Sequence, residues 1–121
     1  MLVWQEIPHT ADYAFRVYGA DLAALFHNAA IALIESQFGK ANLSYSEKLT
    51  SIEIHLEAKE TAVLLIDWLR EILFQMEVEQ LIPQKTEIKN MSESQITANL
   101  HCLSHNFRHA LERKHCIKAI T

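Results

Sequence analysis

The hydrophobic period of this chain switches twice between residues 51 and 102. Between residues 51 and 58, Ile52, Ile54, Leu56 and Ala58 alternate with Ser51, Glu53, His55 and Glu57. Such alternation gives a strand with one dry and one wet face, because successive side chains point to opposite sides of a sheet. From 60 to 79, ETAVLLIDWLREILFQMEVE contains neither glycine nor proline, and its apolar residues recur every three or four positions. Leu65, Trp68, Leu69, Ile72, Leu73 and Met76 then share one side of a helix, and Val63, Ile66 and Phe74 are expected to widen that stripe. Alternation returns at 95–102, where Ile96, Ala98, Leu100 and Cys102 oppose Thr97, Asn99 and His101. Strands in runs, interrupted by helices, must cover the dry sheet face with the apolar helix faces, which is an α+β architecture.

The remaining segments extend the same pattern. Residues 2–7 (LVWQEI) form a short apolar run ended by Pro8, and Tyr13, Phe15 and Val17 alternate with Ala14, Arg16 and Tyr18 before Gly19. Asp21 is placed to cap a helix carrying Leu22, Leu25, Phe26, Ala29, Ala30, Leu33 and Ile34, with Gly39 as its stop. Of the two amphipathic helices, the one at 60–79 is expected to be the more buried. Residues 80–89 read as a further strand, 104–115 carry no clear period, and CIKAIT (116–121) reads as a last strand. Only two glycines and two prolines occur in 121 residues, so connections should be short. The expectation is one compact domain over 1–121, with a mostly antiparallel sheet and two helices.

Charge and cysteine usage narrow the function classes. A net charge of −4 argues against a general nucleic-acid binder, which normally carries a basic stripe. Residues 105–121 are nonetheless locally basic, with Arg108, Arg113, Lys114 and Lys118 against Glu112, leaving an acidic partner or a local RNA phosphate contact open. Cys102 and Cys116 are the only cysteines and no leader pattern precedes Trp4, so a reducing cytoplasm is expected. Asp67, Arg70 and Glu71 interrupt the longest apolar run, which argues against a membrane span.

Several constellations could carry chemistry. There are seven histidines, and His101, His105 and His109 recur every four residues beside Cys102, His115 and Cys116, so a zinc site can be drawn. No CxxC or HExxH spacing supports it, and His101 sits in an alternating strand pattern. A serine hydrolase lacks its GxSxG turn, and Gly19 and Gly39 alone cannot build a phosphate loop. His9 and Asp12, just after Pro8, put two titratable groups at the mouth of a strand. Either they organise a turn, Asp12 accepting backbone N–H bonds or pairing with a lysine, or Asp12 joins other oxygens around a hard cation.

Three stretches in order, HTADYAFRVYG (9–19), LLIDWLREILF (64–74) and RHALERKHCIKAIT (108–121), together resemble the archease family. The resemblance implies an α+β protein that is not itself an enzyme. It implies an accessory factor for an RtcB-type RNA ligase, which joins 2′,3′-cyclic phosphate or 3′-phosphate RNA ends to 5′-hydroxyl ends in tRNA splicing and RNA repair. Archeases promote guanylylation of the ligase's active-site histidine, the ligase using GTP and manganese. By position, Asp12 of HTAD matches the family's metal-binding aspartate and Lys118 of IKAIT a lysine important for activation. His9 lies in the same motif without a separate role.

The family pattern continues beyond this motif to a second aspartate near the C-terminus, whereas this sequence stops at Thr121 and also lacks the glycine-glutamate step after Cys102. Either the chain is a shortened archease-like protein or the sequence is incomplete; a C-terminally short form is expected to bind calcium weakly at Asp12, with Lys118 as counter-ion, since ligand charge sets calcium affinity. Two other functions are compatible: a chaperone-like modulator of RNA processing without the metal-dependent step, and a small metal-dependent hydrolase using His9, Asp12 and the later histidines. An open sheet edge would favour a homodimer.

Overall fold

The computed structural model describes residues 3–7, 14–38 and 49–104. Strands β1 (Trp4–Ile7) and β2 (Ala14–Val17) precede helix α1 (Leu22–Phe38), strand β3 (Thr50–Glu57), helix α2 (Thr61–Glu77) and strands β4 (Leu81–Met91) and β5 (Gln95–Ser104). The α+β expectation holds, with every described strand pair antiparallel. The strands are divided between two sheets, a β1-β2 hairpin and a three-stranded sheet ordered β3-β5-β4. The segment 105–121, with the expected CIKAIT strand, lies outside the described residues. None of the described helices is long and apolar enough to cross a membrane.

Local chemistry explains the boundaries. The Ala24 N–H donates to Asp21 Oδ1 at 2.8 Å, so Asp21 caps α1 by satisfying one of the first-turn amides that has no partner inside the helix. Gly19 lies against that first turn, where a Cβ would run into the backbone N and Cα of Leu25 and the carbonyl carbon of Ala24. Thr61 at the start of α2 donates its hydroxyl to the Glu93 carbonyl at 2.8 Å, joining the helix to the β4–β5 turn. That turn is closed by Ser92, whose N–H donates to the Gln95 carbonyl at 2.9 Å and whose Oγ accepts from the Ser94 and Gln95 amides, each at 3.2 Å.

The alternation at 51–58 and 95–102 is realised as read. Ile54, Ile96, Ala98, Leu100 and Cys102 are buried under the helices, while Ser51, Glu53, His55 and Glu57 are exposed. Trp68, fully buried at the centre of α2, donates its indole N–H to the Phe26 carbonyl of α1 at 2.9 Å. Ile72, Met76, Ile82 and Leu100 belong to the same buried cluster.

Two expectations about the helices are corrected. Val63 and Phe74 are each 45% exposed instead of widening the buried stripe, and Leu64 is fully buried in their place. At 3.6 residues per turn, Val63 and Phe74 lie about 140° and 120° around the helix from Trp68, beyond the reach of a single covered side. The more enclosed helix is α1, with eight buried residues against five in α2. It packs on β1 and β2 as well as on β4 and α2, and Ala29, Ala30 and Ala32 let those neighbours approach closely.

Candidate functional site

The hairpin β1-β2 is the described element nearest in sequence to the expected site. Its last pair is Ile7 with Ala14, and the six residues between them include His9 and Asp12, which lie outside the described residues. Lys118 also lies outside them, as do His105, His109, His115 and Cys116.

What the structure does show is how the base of the hairpin is held. The Trp4 indole N–H donates to Glu35 Oε1 on α1 at 2.8 Å, and the Trp4 and Phe15 rings meet edge-on with centroids 5.3 Å apart. Tyr18 extends the ladder through its N–H to the Val3 carbonyl at 3.0 Å, and Asn28 on α1 donates its side-chain amide to the Tyr18 carbonyl at 2.7 Å. A two-stranded hairpin alone is marginally stable in water, so these tethers to α1 supply the rigidity that the four-residue strands lack. The two strand ends that flank residues 8–13 are thereby fixed relative to the core.

The zinc constellation comes apart at its described members. His101 and Cys102 are consecutive on β5, so their side chains leave opposite faces of the sheet. His101 Nε2 lies 3.4 Å from Glu87 Oε1 on the outer face, whereas Cys102 is fully buried in the core. One ion cannot reach both. Among the described residues no group of three or more His, Cys, Asp or Glu is arranged to hold a metal.

Burial pushes the Cys102 thiol from its ordinary 9.0 up to about 12, because the core disfavours the thiolate. The unfolded thiol ionises first, so over that range the unfolded state binds fewer protons. The Cys102 contribution to stability is full below pH 9.0 and is lost as pH rises toward about 12. Native protein treated with a thiol reagent at pH 8 should leave Cys102 unmodified, and urea should expose it to labelling. Peptide mass spectrometry showing rapid native labelling of Cys102 would contradict its placement.

Sequence reasoning did not find the Trp4–Glu35 tether or the buried polar end of α1. Ser36 and Gln37 are 2% and 0% exposed, and Gln37 donates its amide to Met76 Sδ at 3.6 Å. Gln37 Oε1 has no hydrogen-bond partner among the described residues. These contacts join residues more than thirty positions apart, and no local spacing signals them.

With this geometry in view, the comparisons with known proteins converge. The model of the Archease protein family matches residues 4–121. Protein archease of Methanosarcina barkeri is 31% identical over 90 residues, covering 74% of this chain and 60% of that protein. Protein archease of Methanopyrus kandleri is 35% identical over 92 residues, covering 76% and 64%. The solution structure of Methanobacterium thermoautotrophicum protein 1598 superposes with a TM-score of 0.69 at 28% identity, covering 98% of this chain and 83% of that one. The matches thus span about three-fifths of the length of the Methanosarcina and Methanopyrus relatives.

Proposed function

Because the chain belongs to the archease family, we propose that it is an accessory factor that activates an RtcB-type RNA ligase by promoting guanylylation of the ligase's active-site histidine. The single observation that carries this reading is the family match over 4–121, which includes both the HTAD stretch with Asp12 and the IKAIT stretch with Lys118. The tethered base of the β1-β2 hairpin supports it, since a protein that acts by presenting polar groups to a partner needs a fixed platform for them.

In this role the chain performs no bond-making step. The ligase supplies the nucleophilic histidine and uses GTP and manganese, and the accessory protein contributes Asp12 and Lys118 at the contact. A divalent cation such as calcium at Asp12 would draw on further oxygens, because hard cations take about six to eight. The setting is RNA-end joining in tRNA splicing and repair in the cytoplasm.

The test is formation of the ligase–GMP adduct from labelled GTP, with the chain added at less than one equivalent. Faster adduct formation with multiple turnovers of the chain is the expected result. Binding to the ligase without any change in guanylylation would favour the chaperone-like modulator, and metal-dependent hydrolysis by the purified chain alone would favour the hydrolase.

A further inference from the structure

In the three-stranded sheet β5 is central, so among the described residues β3 and β4 are its edges. The two edges differ. β4 shifts register against β5 between Pro83 and Lys85 and again between Ile88 and Asn90, and Pro83 has no N–H to offer. Bulges and edge prolines are the usual means by which a sheet discourages further pairing. β3 has neither: it stays in one unbroken register with β5 from Thr50 to Glu57.

The direction of each β3 backbone group follows from one bond. The Ala58 N–H donates to the Ser94 carbonyl at 2.9 Å, in the same register as the β3–β5 ladder. In an antiparallel ladder the residues bonded to a given neighbour alternate. Ile52, Ile54 and Leu56 therefore bond to β5, and Ser51, Glu53, His55 and Glu57 turn their N–H and C=O groups toward the side of β3 that no other described strand pairs with. On the helix side, Ile54 is 5% exposed, while Ile52 and Leu56 are only partly buried, so apolar surface remains beside that edge.

The side chains select a register for a second copy. A two-fold axis at Ile54 places Glu53 of each copy opposite His55 of the other, Ser51 opposite Glu57, and Ile52 opposite Leu56. The residues with outward backbone groups then face one another, as the ladder requires, and the whole strand is used. An axis at Glu53 sets that carboxylate against its own copy, and an axis at His55 sets Glu53 against Glu57, both like-charge pairs that destabilise a sheet. Axes at Ile52 or Leu56 leave part of the strand unpaired.

We propose that two copies of this chain join antiparallel along the β3 edge about Ile54, extending the three-stranded sheet into a continuous six-stranded one. The proposal is independent of the ligase reading.

Sedimentation over a concentration series, combined with residue-resolved amide exchange on the unmodified chain, tests it. The expected result is a monomer–dimer equilibrium in which the Ser51, Glu53, His55 and Glu57 amides slow with dimer formation, while those of Ile52, Ile54 and Leu56 keep the same protection. His55→Glu should abolish the dimer by opposing carboxylates at two points, and the double variant Glu53→Lys, His55→Glu should restore it. The double variant also loses the exposed Lys89–Glu53 pair at 3.2 Å and the His55 contacts to Glu57 at 3.1 Å and to Thr97 at 2.7 Å within the same chain, exposed contacts that contribute little to the fold. A monomer at every concentration overturns the proposal. A dimer whose four outward amides exchange at the monomer rate, or a double variant that stays monomeric while folded by circular dichroism, overturns it as well.

Discussion

Asp12→Ala is expected to abolish stimulation of ligase guanylylation while shifting the urea midpoint by less than about 0.5 kcal/mol in stability terms, the size of an ordinary substitution away from the core. The described contacts that hold the hairpin are Trp4 with Glu35 and Phe15, and Tyr18 with Val3 and Asn28, so none of them is removed by the change. Asp12→Asn separates charge from shape. If it fails to stimulate as completely as the alanine variant, the carboxylate charge is what the partner or a cation requires. Parallel loss of stability and stimulation in both variants would show instead that Asp12 organises a turn, the role open to any aspartate between two strands. Normal stimulation by Asp12→Ala would remove the residue from the proposed function.

Trp68→Ala should produce the largest loss of stability of any single truncation considered for this fold, about 3 to 5 kcal/mol. The side chain is fully buried between α1, α2 and the sheet, and its removal opens a cavity that the surrounding Phe26, Ile72, Met76 and Leu100 can fill only partly. It also removes the indole bond to the Phe26 carbonyl, which joins the two helices. A domain of this size has about 5 to 15 kcal/mol to lose, so the variant will be marginal at 37 °C. Trp68→Phe keeps most of the volume and loses the bond, and it should cost about 1 to 2 kcal/mol. Urea midpoints at unchanged slope measure both; a shift below about 1 kcal/mol for the alanine variant would contradict the packing described.

Residue order was sufficient to place every described element because helix and strand periods are local. Asp21 read as a cap for α1 because a short side-chain oxygen just before an apolar three-four repeat has one main structural use, and its Oδ1 does accept the Ala24 amide. The wet and dry faces of β3 and β5 were readable for the same reason: with a period of two, one buried isoleucine assigns every neighbour on the strand. Family membership, and with it the expectation for Asp12 and Lys118, came from three ordered stretches, since neither residue carries a distinctive chemistry in isolation.

The width of a helix's buried stripe was not readable, because it depends on how many neighbours surround the helix. Phe74 and Leu64 are both apolar residues of α2, yet Phe74 is 45% exposed and Leu64 is fully buried, since the described elements α1, β3 and β4 cover the side that carries Leu64. Enclosure from more than one direction likewise made α1 the more buried helix and took Ser36 and Gln37 out of water. The chain order of hydrophobic periods determined which segments become strands and helices. Only the tertiary structure decided that the described strands divide into two sheets, that Glu35 holds Trp4, and that β3 is the regular edge among them, because each depends on contacts between residues far apart in sequence.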